Sequence, residues 1–226
     1  MRMIHSKRYS TGQNSARNLK KGRRTENSSV ARARGCIQTF LRSTLFSSGF
    51  TANLAFTYTV PRKTDVIICS DELIHASSRN GTCVSCRRPS YPFAHNLVAS
   101  FEKRLLCVLQ KHPQITRGTS TAFVVVESLY SMDGDFYPLT EIVGLVKTLV
   151  PAGHVRIVVD EAHTSGICGS NGTGYVSHLG LSDRVHTKVT FGKGWEFHGG
   201  MCYLLLEYVF KKLTPMLVCF TSQPLC

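Results

Sequence analysis

A lysine stands between two glycines in Thr190-Phe191-Gly192-Lys193-Gly194, directly after a β-type run from His186 to Phe191. An ammonium at the end of a strand is costly to bury without a partner. Glycines on both sides let another group approach the backbone closely. Desolvation favours the neutral amine, which can form a Schiff base with a carbonyl cofactor. An exposed lysine in a turn fits the same five residues, so the pentapeptide does not decide alone.

Other chemical groups stand at comparable places. Asp160 follows Val158-Val159; a carboxylate there can keep a pyridinium ring nitrogen charged, as an electron-sink cofactor requires. A helix N-cap would use the same residue. His163 is suited to acid–base work or to donating to a phenolic oxygen, or it is a surface-loop histidine. Glu127 and Ser131 close another apolar run. Ser47-Ser48-Gly49-Phe50-Thr51-Ala52-Asn53 reads as a turn into a helix, whose first amides suit a phosphate. Asp160-Glu161-Ala162-His163 also spells a helicase box, but that reading needs a GxxxxGK[ST] loop, which this sequence lacks.

These groups need strands to carry them. Asp65–Ser70, Ala122–Ser128 and Val155–Asp160 are short apolar runs that read as buried strands, and a fourth ends at Lys193. Helices are predicted from the Ser47 turn to about Tyr58, over Asn96–His112 and over Leu139–Val150. The second puts Leu97, Phe101, Leu105 and Val108 on one face; the third turns Ile142, Val143 and Val146 inward. Ile37–Leu45 reads as a short helix leading into a strand, Asp71–Ala76 as a loop into a short helix, and residues 79–93 as loop. The alternation predicts an α/β fold, a mainly parallel sheet with helices on both faces. Ligands of such sheets bind beyond the carboxyl ends of the strands. Glu127/Ser131, Asp160/His163 and Thr190/Lys193 all fall there, which points to one shared site.

The chain has 226 residues, 42% of them hydrophobic, and a formal net charge of +13. Ten of its 27 Lys and Arg residues but only Glu26 of its 14 acids fall in residues 1–34. The basic character is therefore a tail, read as a mitochondrial transit segment or a disordered arm. Aromatic residues are not interleaved with the charge, so nucleic acid is not the expected partner. Nine scattered cysteines, an odd number at irregular spacing, argue against a disulfide framework and for a reducing intracellular compartment, cytoplasmic or mitochondrial. Cys83-Val84-Ser85-Cys86 is a lone CxxC without the second pair a zinc site needs, and no metal is expected. No apolar stretch reaches the roughly 18 residues of a membrane span.

Five segments in order resemble the α-oxoamine synthase family of pyridoxal-phosphate enzymes. Asp71-Glu72-Leu73-Ile74-His75-Ala76-Ser77 looks like D-x-L-x-H-A-S. Phe93-Ala94-His95-Asn96 looks like F-x-H-N-D, with Leu97 in place of the final Asp. Glu127 to Asp135, followed by Pro138-Leu139, is similar to E-x-x-[FY]-S-M-D-G-D-x-x-P-L. Asp160-Glu161-Ala162-His163, with Gly166, Gly169, Gly172 and Gly174, matches the next motif, and Thr190-Phe191-Gly192-Lys193 matches the lysine motif. The resemblance covers about residues 45–200 and is nearest to the biotin-pathway members of the family, with the aminolevulinate, aminoketobutyrate and sphingoid-base types sharing the frame.

The resemblance implies the large domain of a fold-type I enzyme and a set of roles. Lys193 would hold pyridoxal phosphate as a Schiff base and later move protons. Asp160 would pair with the pyridine nitrogen and His75 would stack on the ring. His163 and Ser131 would lie near the phenolic oxygen. Gly49 and Phe50 amides and the Thr190 hydroxyl would hold the phosphate, and Glu127 would lie close to the reacting carbons. The implied reaction joins an amino acid, L-alanine for the biotin-pathway type, to an acyl-CoA such as pimeloyl-CoA, releasing CO2 and CoA. A homodimer is implied, with active sites between subunits. The expected division is a basic tail at 1–34, a cofactor-binding domain at 35–205 lacking the family's upstream glycine-rich segment, and at 206–226 the start of a smaller domain. The arginine expected to hold the substrate carboxylate would belong to that smaller domain. Truncation, and with it an inactive remnant that at most binds the cofactor, is the competing expectation.

Overall fold

The computed structural model describes residues 43–59, 66–85, 90–150 and 154–203, all within one compact unit, Phe40–Cys226. The basic tail, Cys86 of the CxxC and the segment after Tyr203 lie outside the described residues.

Nine strands are described: β1 (Ser43–Phe46), β2 (Val66–Asp71), β3 (Ser90–Phe93), β4 (Thr121–Glu127), β5 (Leu129–Tyr130), β6 (Asp135–Phe136), β7 (Val155–Asp160), β8 (His186–Thr190) and β9 (Gly200–Tyr203). The helices are α1 (Gly49–Thr59), α2 (Ala76–Ser85), α3 (Val98–Lys111), α4 (Leu139–Leu149) and the single turn α5 (Tyr175–His178). Seven strands form one sheet in the order β1-β9-β8-β7-β4-β2-β3. Only β9 runs against its neighbours, β1 and β8; β8, β7, β4, β2 and β3 pair in parallel. β5 and β6 form a separate hairpin.

Successive side chains of a strand point to opposite faces, so each buried strand serves two layers. On one face, Ala122, Val124 and Val126 of β4 and Val155, Ile157 and Val159 of β7 pack with Phe101 and Leu105 of α3 and Ile142 of α4. On the other, Phe123 and Val158 pack with Ala52, Ala55 and Phe56 of α1. The expected sheet with helices on both faces is thus present.

Three departures have physical causes. Residues 79–93, expected as loop, contain the end of α2 and all of β3. The start of α2, Ala76-Ser77-Ser78-Arg79-Asn80-Gly81, is weak in helix propensity. Packing holds it: Ser77 and Ser78 are buried, and a Cβ on Gly81 would lie 1.8 Å from Thr57 Oγ1 of α1. β3 alternates exposed and buried residues, and its Pro92 is tolerated because β3 is an edge strand. The antiparallel β9 was not foreseen, because Gly200 to Tyr203 carries no alternation of its own.

The β5–β6 hairpin is clasped to the end of β2 through His95. Its Nδ1 lies 3.0 Å from Oδ1 of fully buried Asp71, and its Nε2 lies 3.3 Å from Asp135 Oδ2. Burial alone would lower the His95 pKa, but the bonds and charges of Asp71 and Asp135 raise it overall. Asn96, at φ 51°, donates its backbone N–H to Asp71 Oδ2 at 3.2 Å and its side-chain amide to Asp135. The His-Asn pair of the sequence motif therefore binds two loops together. His95, Asp133 and Asp135 also place one potential ligand atom each within 4.8 Å of one another, a grouping that sequence spacing did not suggest.

Candidate active site

Strand register decides which groups share a side. Glu127 of β4 pairs with Asp160 of β7, and Asp160 pairs with Lys188 of β8. By alternation all three belong to the α1 face of the sheet, with Thr190 two residues further along. Asp160 is 4% exposed. Its Oδ1 accepts from Ala162 N–H at 3.0 Å, and its Oδ2 accepts from Asn53 Nδ2 of α1 at 2.6 Å. The same Asn53 nitrogen donates to Ser77 Oγ at 3.0 Å, and Ser77 Oγ lies 2.7 Å from His75 Nδ1.

Glu127 is anchored to the same loop, accepting the His75 backbone N–H at 2.5 Å through Oε1. Burial, then the Asp160 charge, pushes the Glu127 carboxyl up to about 7; Lys188 and Lys193 pull the other way. Lys188 is 1% exposed, donates to Ser78 Oγ at 3.1 Å and lies 5.8 Å over the Phe56 ring. It is a buried cation beneath the carboxylates.

Lys193 Nζ lies 2.7 Å from His163 Nε2. A neutral imidazole accepts there from an ammonium, so two groups that the sequence put at separate strand ends meet directly. Burial lowers the His163 pKa, and the Lys193 charge lowers it further, against the opposite pull of Asp160. The loop after Asp160 supports the lysine turn from below. Gly166, at φ 84°, packs so tightly that a Cβ would lie 2.6 Å from the Gly194 carbonyl carbon. Buried Glu161 holds this loop, accepting from Val176 N–H at 2.7 Å and Thr164 Oγ1 at 3.3 Å.

The α1 N-terminus faces β8. Ser48 caps the helix, accepting the Thr51 N–H at 3.0 Å, which leaves the Gly49 and Phe50 amides at the open end. Gly49 lies against Thr190, where a Cβ would come within 1.9 Å of Oγ1. Ser48, Gly49, Thr190, Gly192 and His198 line a cleft of about 340 Å3, with exposed Glu196 also on its wall. Phe50 meets the His75 ring edge-on at 6.4 Å. Ser131 is exposed in the β5–β6 turn, and its hydroxyl makes none of the hydrogen bonds that join these residues.

Sequence reading missed Asn53, Ser77 and Lys188. Alternation along His186–Thr190 was the available signal for Lys188, since it puts residues 186, 188 and 190 on one face. Asn53 carried a signal only through its place one helical turn after Gly49.

The profile of the aminotransferase class I and II family matches residues 31–224. The chain belongs to this family. An 8-amino-7-oxononanoate synthase of Emericella nidulans is 39% identical over 158 residues, which is 70% of this chain and 38% of that protein. The aminoacyl transferase sphA of Byssochlamys spectabilis is 37% identical over 150 residues, 66% of this chain and 32% of that protein. Among solved structures, a serine palmitoyltransferase of Sphingomonas wittichii is similar with a TM-score of 0.69 and 29% identity, over 86% of this chain and 45% of that one. The chain thus spans less than half the length of these relatives. Their kinds bear out the resemblance to α-oxoamine synthases, of which 8-amino-7-oxononanoate synthase is one.

Proposed function

We propose that this chain supplies the cofactor-binding half of an α-oxoamine synthase, which joins an amino acid to an acyl-CoA with loss of CO2 and release of CoA. The observation that carries the reading is the Lys193–His163 contact, set beside buried Asp160 on the sheet face that also meets the α1 N-terminus. Pyridoxal phosphate fits this donor set. The Gly49–Thr190 approach leaves no room for a Cβ, so the first α1 amides and the Thr190 hydroxyl can reach a phosphate in the adjoining cleft. Asp160 would keep a ring nitrogen protonated, and His75 would cover a ring face. When bound, the cofactor supplies an electron sink for the pair left at the substrate α-carbon.

The residues would divide the remaining work. Lys193 Nζ attaches the cofactor and later moves a proton at the α-carbon, with His163 holding that amine through Nε2. Glu127 has a carboxyl poised near neutrality by burial and the Asp160 charge, and it is suited to exchange a proton close to the reacting carbons. Ser131 contributes from the β5–β6 turn only by reaching the cofactor's phenolic oxygen. L-alanine and pimeloyl-CoA are the proposed substrates, after the 8-amino-7-oxononanoate synthase relatives. The sphA and serine palmitoyltransferase relatives favour a second reading, serine with a long-chain acyl-CoA. A homodimer is proposed for the working enzyme. Among the described residues no helix is long and apolar enough to cross a membrane.

The test adds pyridoxal phosphate to the purified chain and to Lys193→Ala and records visible absorbance after dialysis. Retained absorbance in the first and none in the second supports attachment at Lys193. Release of CoA from pimeloyl-CoA with alanine, or from palmitoyl-CoA with serine, then separates the two substrate readings. Folded protein that retains no cofactor in either form would overturn the proposal.

A further inference from the structure

We propose that Asn53 and Ser77 form a relay from Asp160 that fixes which nitrogen of His75 carries the proton. Both oxygens of Asp160 face N–H donors, Ala162 N at 3.0 Å and Asn53 Nδ2 at 2.6 Å. The carboxylate thereby sets the Asn53 amide. Turned over, that amide would press its own oxygen against a carboxylate oxygen at 2.6 Å, two acceptors in contact. The amide nitrogen has two protons, and the second faces Ser77 Oγ at 3.0 Å.

Ser77 Oγ therefore accepts from Asn53, and its own proton has to leave in another direction. His75 Nδ1 lies 2.7 Å away. The Ser77 backbone N–H faces the same Nδ1 at 3.2 Å. Two donors aimed at one ring nitrogen require a lone pair there, so Nδ1 is the acceptor and the ring proton sits on Nε2. The opposite tautomer would donate to Ser77 Oγ, but it would set its Nδ1–H against the Ser77 N–H, two donors in contact. Ser77 is fully buried and Asn53 is 4% exposed, so water does not readily substitute for either link.

The consequence for chemistry rests on the proposed cofactor reading; the tautomer itself does not. A neutral ring placed beside a protonated pyridine nitrogen avoids the repulsion that an imidazolium would bring, and Nε2–H is left as a directed donor. The same Asp160 that would hold the pyridine charged thus also holds the stacking ring in one neutral form. Asn53 and Ser77 are positioning residues in this scheme, acting through Asp160 and His75.

The experiment uses the whole chain without added cofactor, labelled with 15N at its nine histidines. Long-range 1H–15N spectra near pH 8 report the protonated nitrogen of each ring, and His75→Gln assigns the signal. The expected result is a single Nε2–H pattern for His75 in the parent chain. Ser77→Ala and Asn53→Leu should each lose it for a mixed or Nδ1–H pattern, while Ser77→Thr, which keeps the hydroxyl, retains it. A merely structural role would leave the tautomer alone in any variant that still folds. An Nδ1–H pattern in the parent, or an unchanged pattern in folded Ser77→Ala, overturns the relay. Because no cofactor is added, failure of the relay and failure to bind pyridoxal phosphate are read separately.

Discussion

Glu161 offers the most quantitative check on the site's support. Its side chain is 1% exposed, and burial pushes its carboxyl from an ordinary 4.5 up to about 7, despite bonds from Val176, Thr164 and Tyr175 that favour the ion. A carboxyl raised on folding binds its proton more tightly in the folded chain. Its contribution is therefore favourable at low pH and is lost as pH rises from about 4.5 through about 7. Each pH unit in that window is worth about 1.4 kcal/mol, so between pH 5 and pH 8 the loss is about 2 to 3 kcal/mol. Glu161→Gln removes the titration and keeps a carbonyl acceptor for Val176 and Thr164. Its amide nitrogen will face the Tyr175 N–H, but that cost is equal at both pH values and cancels in the comparison. Urea unfolding of both proteins at pH 5 and pH 8 gives four stabilities. The parent should lose about 2 to 3 kcal/mol more than the variant on going to pH 8. An equal loss in both, or a greater loss in the variant, would show that Glu161 ionises freely and refute the burial argument.

Three further outcomes are expected. Gly49→Ala places a methyl 1.9 Å from Thr190 Oγ1; overpacking of this kind costs about 1–3 kcal/mol. Pyridoxal-phosphate affinity in equilibrium dialysis should fall about tenfold or more, and an unchanged affinity would remove the α1 end from the phosphate site. Lys193→Ala should raise the NMR titration midpoint of His163, since burial and then the Lys193 charge hold it down; a fall would contradict their contact. Leu105→Ala empties a fully buried position where α3 meets the sheet and should cost about 2–5 kcal/mol in urea unfolding, a loss under 1 kcal/mol denying its place in the core.

Much of this arrangement was legible because it is local. Val155–Asp160 reads as a strand from its own residues and is one. Of the expected α3 stripe, Phe101, Leu105 and Val108 are the buried face of that helix, whereas Leu97 stands exposed at its N-cap. What stayed hidden depends on distant partners. The start of α2 is a weak helix by composition, and only the fit of Gly81 against Thr57 makes a helix the better choice. Asn53 is 107 residues from the Asp160 it bonds, and nothing within its own turn announces a buried amide with two acceptors. Lys188 is buried only because β8 is flanked by β7 and β9, which nothing local to it announces.

The two faces of the sheet also explain why the chemistry gathers on one of them. The α3–α4 face is filled by aliphatic side chains from β4 and β7, and a charge there would have no partner. On the α1 face the strand ends carry Glu127, Asp160 and Lys188 in register, two neighbouring carboxyls and a lysine on a buried surface. Two of these charges lie within reach of helical polar groups, Asn53 for Asp160 and Ser78 for Lys188, and Glu127 takes the His75 amide. Each link comes from α1, from α2 or from the loop before α2. The packing of those segments, set by Gly49 on Thr190 and Gly81 on Thr57, is therefore a condition for the charges to be buried at all. Loosening either glycine contact should expose these groups to water, weaken the burial-driven shifts of Glu127 and His163, and disperse the site before the sheet itself unfolds.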